Sequence, residues 1–490
     1  MEKSAGLLLH ISELPSKYGI GSFGIEAKRF VKLLKLAGQK YWQVLPLNPV
    51  GEGNSPYSSS CSSALDPYFI DLDLLEKDGF LTKEEITNNS KKNTGRVDYE
   101  YLSTHRYNLL FLASKRLLQS KTKTKVYNFY KRNKKWLKDY ALFNILTDIY
   151  HTEWSSWPMN YRKHKNKDLE ELIKNKQEEF NCYVTMQYLA YSQYLKLKKY
   201  ANKNGVRMVG DLPIYVSYNS SDVWAHQNDF MLAKCGKPLF ISGMPADDMC
   251  KDGQVWGMPT YNYDYMRKNG FKWWKSRICQ TSKLYDLLRL DHFIGFAEYY
   301  AIPYATCLTK DGKWMKGPGT ELIDIILNYS KADLFAEDLG YLSQNVIDLL
   351  NYSKIAGTKI FEYGFNSDKN NPHIPNNYPY NAIAYLGNHD NDVFKNFIIT
   401  HPNDEKNIRD YLNISIYDDI IEESIENLFA SKAKITILMV QDLLKMGKES
   451  RINVPGTLSK NNWSFRFKKS DFKKERFLEL FELTCKYQRY

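Results

Sequence analysis

Three short apolar runs that each lead into acidic residues constrain the fold of this chain more than any other feature. The runs lie in residues 284–296 (LYDLLRLDHFIGF, ending at Asp291), 333–340 (DLFAEDLG, ending at Glu337) and 382–390 (AIAYLGNHD, ending at His389 and Asp390). Apolar runs of this length are typical of buried strands. In a parallel α/β barrel the C-terminal ends of all strands open on one face, so we expect the three carboxylates to converge there. Carboxylates that converge in one pocket indicate glycoside chemistry.

A basic residue accompanies the first of these carboxylates. Arg289 and Asp291 are two residues apart, so on a strand their side chains point to the same side. Burying both charges carries a desolvation penalty. A structural ion pair between Arg289 and Asp291 would offset this penalty, so the two residues alone do not require a catalytic role. The other two acidic strand ends favour a catalytic role instead. We expect Arg289 to lower the pKa of Asp291 and keep it ionised. We also expect the charges of Asp291 and Asp390 to favour a proton on Glu337.

Eight strand patterns follow one another along the chain, with helical patterns between most of them. They cover residues 6–11, 41–47, 207–213, 287–291, 333–337, 358–363, 382–386 and 434–440. This alternation predicts an α/β fold, a (β/α)8 TIM barrel that forms a single catalytic unit over residues 1–490. Residues 50–205 and 214–284 interrupt the alternation after strands two and three, and we expect them to form largely helical inserted subdomains on the C-terminal face. Strand eight is followed by little further sequence, so no C-terminal β-sandwich domain is expected.

The chain is basic, with a formal net charge of +12. Such a balance occurs in proteins that bind nucleic acid or anionic membranes. The densest basic stretch, residues 121–138, also carries Val126, Phe129 and Trp136, which predicts a helix with one buried and one solvated face. The sequence contains no zinc finger, RNP-like motif or phosphate-cradling glycine loop, and the Gly-rich residues 19–24 (GIGSFG) predict a tight turn. We therefore expect no nucleic acid or membrane partner.

The cysteines and the N-terminal sequence favour a cytosolic protein. The seven cysteines are scattered and never form a CxxC pair, which argues against a disulfide framework and against a zinc site. No signal-peptide pattern is present, and no apolar run approaches the length of about 18 residues that a membrane span needs. We expect a cytoplasmic protein without metal or other cofactor. The acidic residues 247–252 (DDMCKD) are only a weak candidate for a metal site.

Aromatic residues make up 14% of the chain, with 37 Tyr and 10 Trp. A compositional habit and a carbohydrate-stacking surface explain this content equally well, because aromatic rings offer flat apolar faces with polar edges. Tyr57 lies in the polar loop GEGNSPYSSS after strand two, and Trp256 lies in the second interruption. Both are candidates for contact with sugar.

Taken in order, the motifs of the chain resemble those of one enzyme family. They run from LLLHISELPSKYGIGSFG through KYWQVLPLNPVG, NSPYSS, GDLPIYV, GQVWGMPTYNY, LLRLDHF, FAEDLG and GNHDND to NVPGT and NWSFRF. The chain is similar over nearly its whole length to the amylomaltases, the 4-alpha-glucanotransferases or disproportionating enzymes of glycoside hydrolase family 77. The resemblance implies a (β/α)8 barrel with helical insertions and no C-terminal β domain. It also implies a transferase that moves α-1,4-glucan segments from a maltooligosaccharide, starch or glycogen donor to an acceptor glucan or glucose by a retaining double displacement.

The resemblance also implies roles for individual residues. Asp291 in RLDHF matches the nucleophile, Glu337 in AEDLG matches the general acid/base, and Asp390 in NHD matches a third carboxylate that holds the sugar distorted. The residues that match substrate-binding positions are Tyr57, Asp211, Gln254, Trp256, Arg289, His292 and His389. The family commonly has Thr where Asn388 stands, and we expect little effect because Asn is also small and polar.

Two other classes of protein remain at this stage. An α-amylase-type hydrolase would use the same carboxylates with water as the acceptor, and the carboxylates alone do not distinguish it from a transferase. A non-catalytic glucan-binding protein would have lost a carboxylate, whereas all three are present. The resemblance favours the transferase.

Overall fold

The computed structural model describes residues 3–246, 251–366 and 368–490. The strands among these residues are β1 (Ser4–Leu8), β2 (Tyr41–Gln43), β3 (Arg207–Leu212), β4 (Phe240–Met244), β5 (Gln254–Pro259), β6 (Leu287–Leu290), β7 (Glu298–Pro303), β8 (Lys313–Lys316), β9 (Asp333–Ala336), β10 (Gly357–Ile360), β11 (Ala382–Tyr385) and β12 (Ile435–Met439).

The same residues form helices of widely different length. They are α1 (Ile25–Leu36), α2 (Leu72–Lys77), α3 (Lys83–Asn88), α4 (Tyr99–Gln119), α5 (Lys123–Tyr150), α6 (Met159–Arg162), α7 (Asn166–Asn175), α8 (Gln177–Lys203), α9 (Ser221–Ala225), α10 (Tyr263–Lys268), α11 (Lys272–Thr281), α12 (Ile294–Ala297), α13 (Thr320–Tyr329), α14 (Gln344–Ser353), α15 (Phe394–Thr400), α16 (Pro402–Leu412), α17 (Ile420–Ala430), α18 (Val440–Leu443) and α19 (Lys474–Lys486). None of the described helices is long and apolar enough to cross a membrane.

Eight of the strands form one parallel sheet in the order β10-β11-β12-β1-β2-β3-β6-β9. The sheet closes into a barrel, since Phe335 of β9 bridges in parallel to Ala356 just before β10. The first strand therefore lies between β2 and the last strand, with Ser4 opposite Ile435. Each of the eight predicted strand patterns overlaps one barrel strand, so the (β/α)8 fold is confirmed.

The second barrel strand is shorter than the sequence predicts. The prediction covers residues 41–47, but the strand ends at Gln43. Leu45 has a positive φ of 58°, which an extended strand does not permit, and Pro46 has no amide hydrogen to pair. The apolar pattern that continues beyond Gln43 therefore belongs to a loop.

Two other strand predictions differ from the structure at their ends. The predicted strand 358–363 ends at Ile360 and continues as a 3-10 turn, Phe361–Tyr363. The predicted strand 6–11 begins earlier and ends at Leu8. In each case the chain turns where the strand leaves the barrel, and apolar content alone does not mark that point.

Apolar side chains from the strands fill the barrel interior. Those buried together there include Leu8, Val209, Leu287, Phe335, Ile360, Ile383 and Ile437. A larger cluster joins the outer faces of the strands to the surrounding helices. Close approach of β1 to β2 requires Gly6, because a Cβ at this position would lie 2.6 Å from the carbonyl oxygen of Tyr41. The interior is thus a packed core, and the open strand ends are left for polar side chains.

The residues between β2 and β3 carry α2 to α8, and the described part of this segment contains no strand. Helices α4, α5 and α8 pack against one another. On α5, Val126 and Leu137 are buried, and Phe129 and Trp136 are partly buried against the core. The basic stretch 121–138 therefore has the buried apolar face that its sequence predicts.

A four-stranded antiparallel sheet in the order β5-β4-β7-β8 lies outside the barrel sheet and has no counterpart in the sequence prediction. Two of its strands belong to residues 214–284, so this interruption is not as helical as expected. Gly243, Gly257 and Pro259 break the apolar alternation of β4 and β5, and such residues weaken a strand signal. Strand β5 carries the predicted site residues Gln254 and Trp256.

Candidate active site

A buried guanidinium lies at the centre of the site. Arg289 Nη1 is 2.5 Å from Asp211 Oδ2 and 2.9 Å from Asp291 Oδ1, and Arg289 Nη2 is 2.8 Å from Glu337 Oε2. Only 3% of the Arg289 side chain is exposed. Asp211 and Arg289 are direct neighbours in the register of β3 and β6. Adjacent strand ends therefore bring three carboxylates to one cation, and Arg289 and Asp291 lie on the same side as predicted.

The loop after β6 is fastened to the residue that follows β9. The amide of His292 donates to Glu337 Oε2 at 2.8 Å, and the amide of Phe293 donates to the carbonyl of Glu337 at 3.0 Å. His292 has a positive φ of 48°, a conformation that is strained for a residue with a side chain. This turn directs the His292 amide at the carboxylate, so the backbone as well as Arg289 orients Glu337.

Asp390 lies on a loop beyond the end of β11 and is held by a local turn. Its amide donates to Asn388 Oδ1 at 2.9 Å, and the amide of Asn388 donates to Asn391 Oδ1 at 3.0 Å. The Asn388 side chain, the one visible departure from the family pattern, therefore shapes the turn that presents Asp390. The carboxylate of Asp390 has Oδ2 3.3 Å from His389 Nε2.

Tyr57 joins Asp211 to His389. Its hydroxyl donates to Asp211 Oδ2 at 2.8 Å and lies 2.8 Å from His389 Nε2. The two rings are stacked, with centroids 5.5 Å apart and planes 6° from parallel. Because the single hydroxyl proton goes to the carboxylate, the network assigns the Nε2–H tautomer to His389. Burial lowers the pKa of His389, which agrees with a neutral ring.

Gln254 and Trp256 lie on β5 and reach the site through His292. Trp256 Nε1 donates to Gln254 Oε1 at 3.0 Å. The Trp256 ring meets the His292 ring edge-on, with centroids 4.8 Å apart. Burial lowers the pKa of His292 to about 4, so this imidazole is neutral at physiological pH. The ten predicted site residues thus form one connected set of contacts.

The electrostatic environment of Asp291 differs from the expectation. Burial raises the pKa of the Asp291 carboxyl well above its ordinary value, and the guanidinium of Arg289 opposes this rise. The charges of Glu337, Asp211 and Asp390 add to the rise. Arg289 thus lowers the pKa of Asp291 as predicted, but the expectation that it keeps the net pKa low is wrong, because burial and three carboxylates outweigh one cation. Carboxyl groups this close titrate as a coupled set that shares protons.

Sequence reasoning assigned no role to the C-terminal part of the site. Asn453 Nδ2 donates to Asp390 Oδ1 at 2.9 Å. The Trp463 ring lies 5.6 Å from Tyr57 and 5.8 Å from His389, measured between centroids. Both residues fall in motifs noted for their resemblance, NVPGT and NWSFRF, which were the available signal.

The described residues contain no group of three or more His, Cys, Asp or Glu side chains placed to hold a metal ion. The acidic stretch proposed as a weak metal candidate has residues 247–250 outside the described part of the chain. The six cysteines within the described part are free.

A closed parallel barrel with an arginine-centred set of carboxylates at its C-terminal strand ends defines a barrel enzyme of carbohydrate chemistry. Residues 9–471 match the family model of glycoside hydrolase family 77, described as 4-alpha-glucanotransferase. The chain is 38% identical over 487 residues to the 4-alpha-glucanotransferase of Clostridium butyricum, which covers 98% of this chain and 100% of that one. It is 37% identical to the chloroplastic/amyloplastic 4-alpha-glucanotransferase of Solanum tuberosum, over 96% of this chain and 83% of that one.

The comparison with solved structures agrees. An amylomaltase from Streptococcus agalactiae, solved in complex with acarbose, superposes with a TM-score of 0.96 at 36% identity and 100% coverage of both chains. The chain therefore belongs to the 4-alpha-glucanotransferase family, as its motifs predict, and it is an enzyme that transfers glycosyl groups.

Proposed function

We propose that the enzyme moves α-1,4-glucan segments between maltooligosaccharides, or chains of starch or glycogen, through a covalent glycosyl-enzyme intermediate. Asp291 is the nucleophile, Glu337 the general acid/base, and Asp390 the group that stabilises the distorted sugar. One observation carries this assignment: the carboxylates of Asp291 and Glu337 contact the two terminal nitrogens of a single guanidinium. This arrangement supports the short carboxyl separation, about 5–5.5 Å, that retaining enzymes use.

The first step forms the intermediate. The Asp291 carboxylate attacks the anomeric carbon, the glycosidic bond breaks, and Glu337 gives its proton to the departing glucan oxygen. In the second step the Glu337 carboxylate takes a proton from the 4-hydroxyl of an acceptor glucan or glucose, whose oxygen displaces Asp291. One glycosidic bond is broken and one is formed, so the number of reducing ends stays constant.

Arg289 and its neighbours set the charge for these steps. Burial raises the pKa of Asp291 and the guanidinium of Arg289 opposes that rise, so contact with Arg289 favours the ionised nucleophile. The His292 amide and Arg289 both face Glu337 Oε2, so the opposite oxygen is the one that serves the leaving group. Asp211 completes the neutralisation of Arg289 and holds Tyr57 in position for sugar contact.

The surroundings of the site support sugar binding. Tyr57, in the turn Pro56–Ser58, and Trp256, on β5, offer aromatic faces from different parts of the chain. Gln254 and the neutral His292 and His389 offer hydrogen-bonding groups. We propose that the inserted subdomains, residues 50–205 and 214–284, extend this surface into a groove for the glucan chain. The double displacement requires only carboxyl groups and a guanidinium, so we propose that it needs no metal or cofactor. The proposal further places the enzyme in the cytoplasm, with α-1,4-glucans as its partners and with neither nucleic acid nor a membrane among them.

Incubation with maltotriose alone tests transfer against hydrolysis. We expect glucose together with a ladder of longer maltooligosaccharides, with almost no gain in reducing ends, because a sugar acceptor replaces water at the intermediate. A steady gain in reducing ends with no product longer than maltotriose would identify an α-amylase-type hydrolase instead. A chelator added to the same assay should leave the rate unchanged.

A further inference from the structure

The third carboxylate is held by a part of the chain far from its own strand. Asn453 Nδ2 donates to Asp390 Oδ1 at 2.9 Å, and Arg451 Nη2 donates to the main-chain carbonyl of Asp390 at 3.2 Å. We infer that Asn453 and Arg451 are positioning residues that fix the orientation of the Asp390 carboxylate. The inference rests on the role proposed above for Asp390.

Asp390 needs such support more than the other two carboxylates. Its side chain is 36% exposed, against 21% for Asp291 and 18% for Glu337. Asp291 and Glu337 directly follow barrel strands and share Arg289, whereas Asp390 stands five residues beyond the end of β11. The Asn453 amide on Oδ1 and the His389 imidazole near Oδ2 approach the carboxylate from two sides, which restricts its rotation.

Arg451 holds both members of this hydrogen bond, the donor Asn453 and the acceptor Asp390. Its Nε donates to the carbonyl of Asn453 at 2.9 Å, and its Nη1 lies 3.3 Å from Asp392 Oδ2. A rigid planar fork therefore ties the backbone of Asn453 to both the carbonyl of Asp390 and the carboxylate two residues later. Lysine at this position would supply a charge without the fork.

Hydrogen bonds hold the backbone on both sides of Asn453. The amide of Trp463 donates to the carbonyl of Ile452 at 2.7 Å, and the amide of Val454 donates to Asn462 Oδ1 at 3.2 Å. Asn453 is thus held before it meets Asp390, so the contact costs little conformational entropy.

The contact also acts on charge. Several charged or titratable groups surround Asp390. They are His389 and Asp392 on its own loop, Asp291 across the site, Tyr57 and Tyr363 from the segments after β2 and β10, and Arg451. A hydrogen bond donated to a carboxylate favours its ionised form. Loss of the Asn453 amide therefore removes a favourable contact with the Asp390 charge and leaves the carboxylate freer to rotate.

Two substitutions separate these effects from a general loss of structure. Asn453→Ala removes the donor and the shape, whereas Asn453→Asp keeps the shape and replaces the donor with a second carboxyl group. Asn461→Ala is the matched control, because this exposed asparagine lies in the same segment. The measurements are kcat and KM for maltotriose, kcat/KM for α-maltosyl fluoride, and the melting temperature.

We expect Asn453→Ala to lower kcat roughly ten- to hundredfold with little change in KM, the range given by one hydrogen bond to a charged group. Asn453→Asp, which places a second carboxyl group against Asp390, should lower kcat at least as much as Asn453→Ala. Asn461→Ala should match the parent. Arg451→Lys should fall between the parent and Asn453→Ala in kcat.

Three outcomes would overturn the inference. In the first, Asn453→Ala retains the parent kcat. In the second, Asn453→Asp behaves like the parent while Asn453→Ala is impaired, which indicates shape alone. In the third, the melting temperature falls and KM rises together with the loss of kcat, which indicates a general loss of structure. Asp390→Asn, measured beside them, separates the two proposals. If Asp390→Asn remains active, the proposed role of Asp390 fails; if it is inactive while Asn453→Ala is normal, only the positioning inference fails.

Discussion

At the scale of single residues, one guanidinium determines how the site works. Arg289 is buried and contacts Asp211, Asp291 and Glu337. A buried cation without partners is strongly destabilising, and so is a buried carboxylate. Each of the four side chains therefore depends on the others, and changes that preserve shape are the informative ones.

The nucleophile gives the first prediction. Asp291→Asn should lower transfer from maltotriose by roughly a thousandfold or more, because an amide cannot form the glycosyl ester. Its melting temperature should not fall below that of the parent, since burial already disfavours the ionised form of Asp291. Retention of even about a tenth of the parent rate would contradict the assignment.

The acid and the third carboxylate give a paired prediction. Glu337→Gln should lose turnover of maltotriose yet still consume α-maltosyl fluoride, whose leaving group needs little protonation. Asp390→Asn should lose turnover of both donors, because the role proposed for Asp390 lies in the distortion of the sugar. The initial rates of the two variants on the two donors provide the check. Glu337 is not the acid if its variant consumes the fluoride no faster than maltotriose.

The sequence predicts that these carboxylates converge, but it does not predict their environment. Asp291, Glu337 and Asp390 stand at the ends of apolar runs and in recognisable motifs, so their convergence followed from the barrel. The direction of the Asp291 pKa did not follow, because it depends on burial that only the assembled site creates. Asn453 was missed for a related reason: its contact with Asp390 spans 63 residues, and no local pattern records it.

At the scale of elements, the turn after β1 carries an acidic group that the chemistry does not use. Glu13 lies in the 3-10 turn Ile11–Glu13 and is buried. Its Oε2 accepts from the His10 amide at 2.8 Å, and its Oε1 accepts from Gln441 Nε2 at 2.6 Å. Burial raises the pKa of Glu13 to about 8. The turn after the first barrel strand thus meets α18, which follows the last one.

This turn makes stability depend on pH. The folded protein binds the Glu13 proton up to about pH 8, whereas the unfolded chain releases it near the ordinary value of 4.5. The free energy of unfolding contributed by Glu13 is therefore complete below pH 4.5 and is lost as pH rises through 8. Glu13→Gln should match the parent at low pH and exceed it by a few kcal/mol above pH 8.

Urea unfolding of both proteins at several pH values measures this difference. Among the described residues Gln441 Oε1 has no hydrogen-bond partner. If the Gln441 amide rotates, this oxygen can accept a hydrogen bond from the amide group of the new side chain. A parent and variant that differ by a constant amount at every pH would contradict the prediction.

Element types were easier to predict than element ends. The eight apolar runs mark the barrel strands because a parallel strand is buried on both faces. The ends depend on single backbone angles, such as the positive φ of Leu45, which composition does not reveal. The antiparallel sheet of β4, β5, β7 and β8 was missed for two reasons. Glycine and proline interrupt its short strands, and the barrel strand β6 separates β4 and β5 from β7 and β8 in the sequence.

At the scale of the whole molecule, one arginine near the C-terminus ties several segments together. Arg489 is fully buried and donates to the carbonyls of Phe429, Ser431 and Ala433 at 2.6, 2.8 and 2.9 Å. Its Nη1 also approaches the carbonyl of Ser4 at 3.4 Å. These carbonyls lie around the junction of β1 with the entry to β12, so Arg489 supports the seam between the first and last strands.

Arg489→Ala should lower the free energy of unfolding by roughly 3 kcal/mol or more, because it leaves several buried carbonyls without a donor. Lys486→Ala, in the same final segment, removes an exposed ion pair with Glu426 and an exposed contact with the Tyr487 ring, and it should leave the midpoint of urea unfolding almost unchanged. The two midpoints, measured side by side, provide the check. Equal midpoints would show that Arg489 does not hold the seam.

The pairing of β1 with β12 also bears on how the protein is made. Ser4 to Leu8 face Ile435 to Met439, so the first strand receives its second neighbour only after about 430 further residues have been synthesised. At about 5–20 residues per second this takes roughly 20 to 90 s. Throughout that time the nascent chain has an open strand edge, the kind of surface that chaperones cover and that otherwise pairs with other chains.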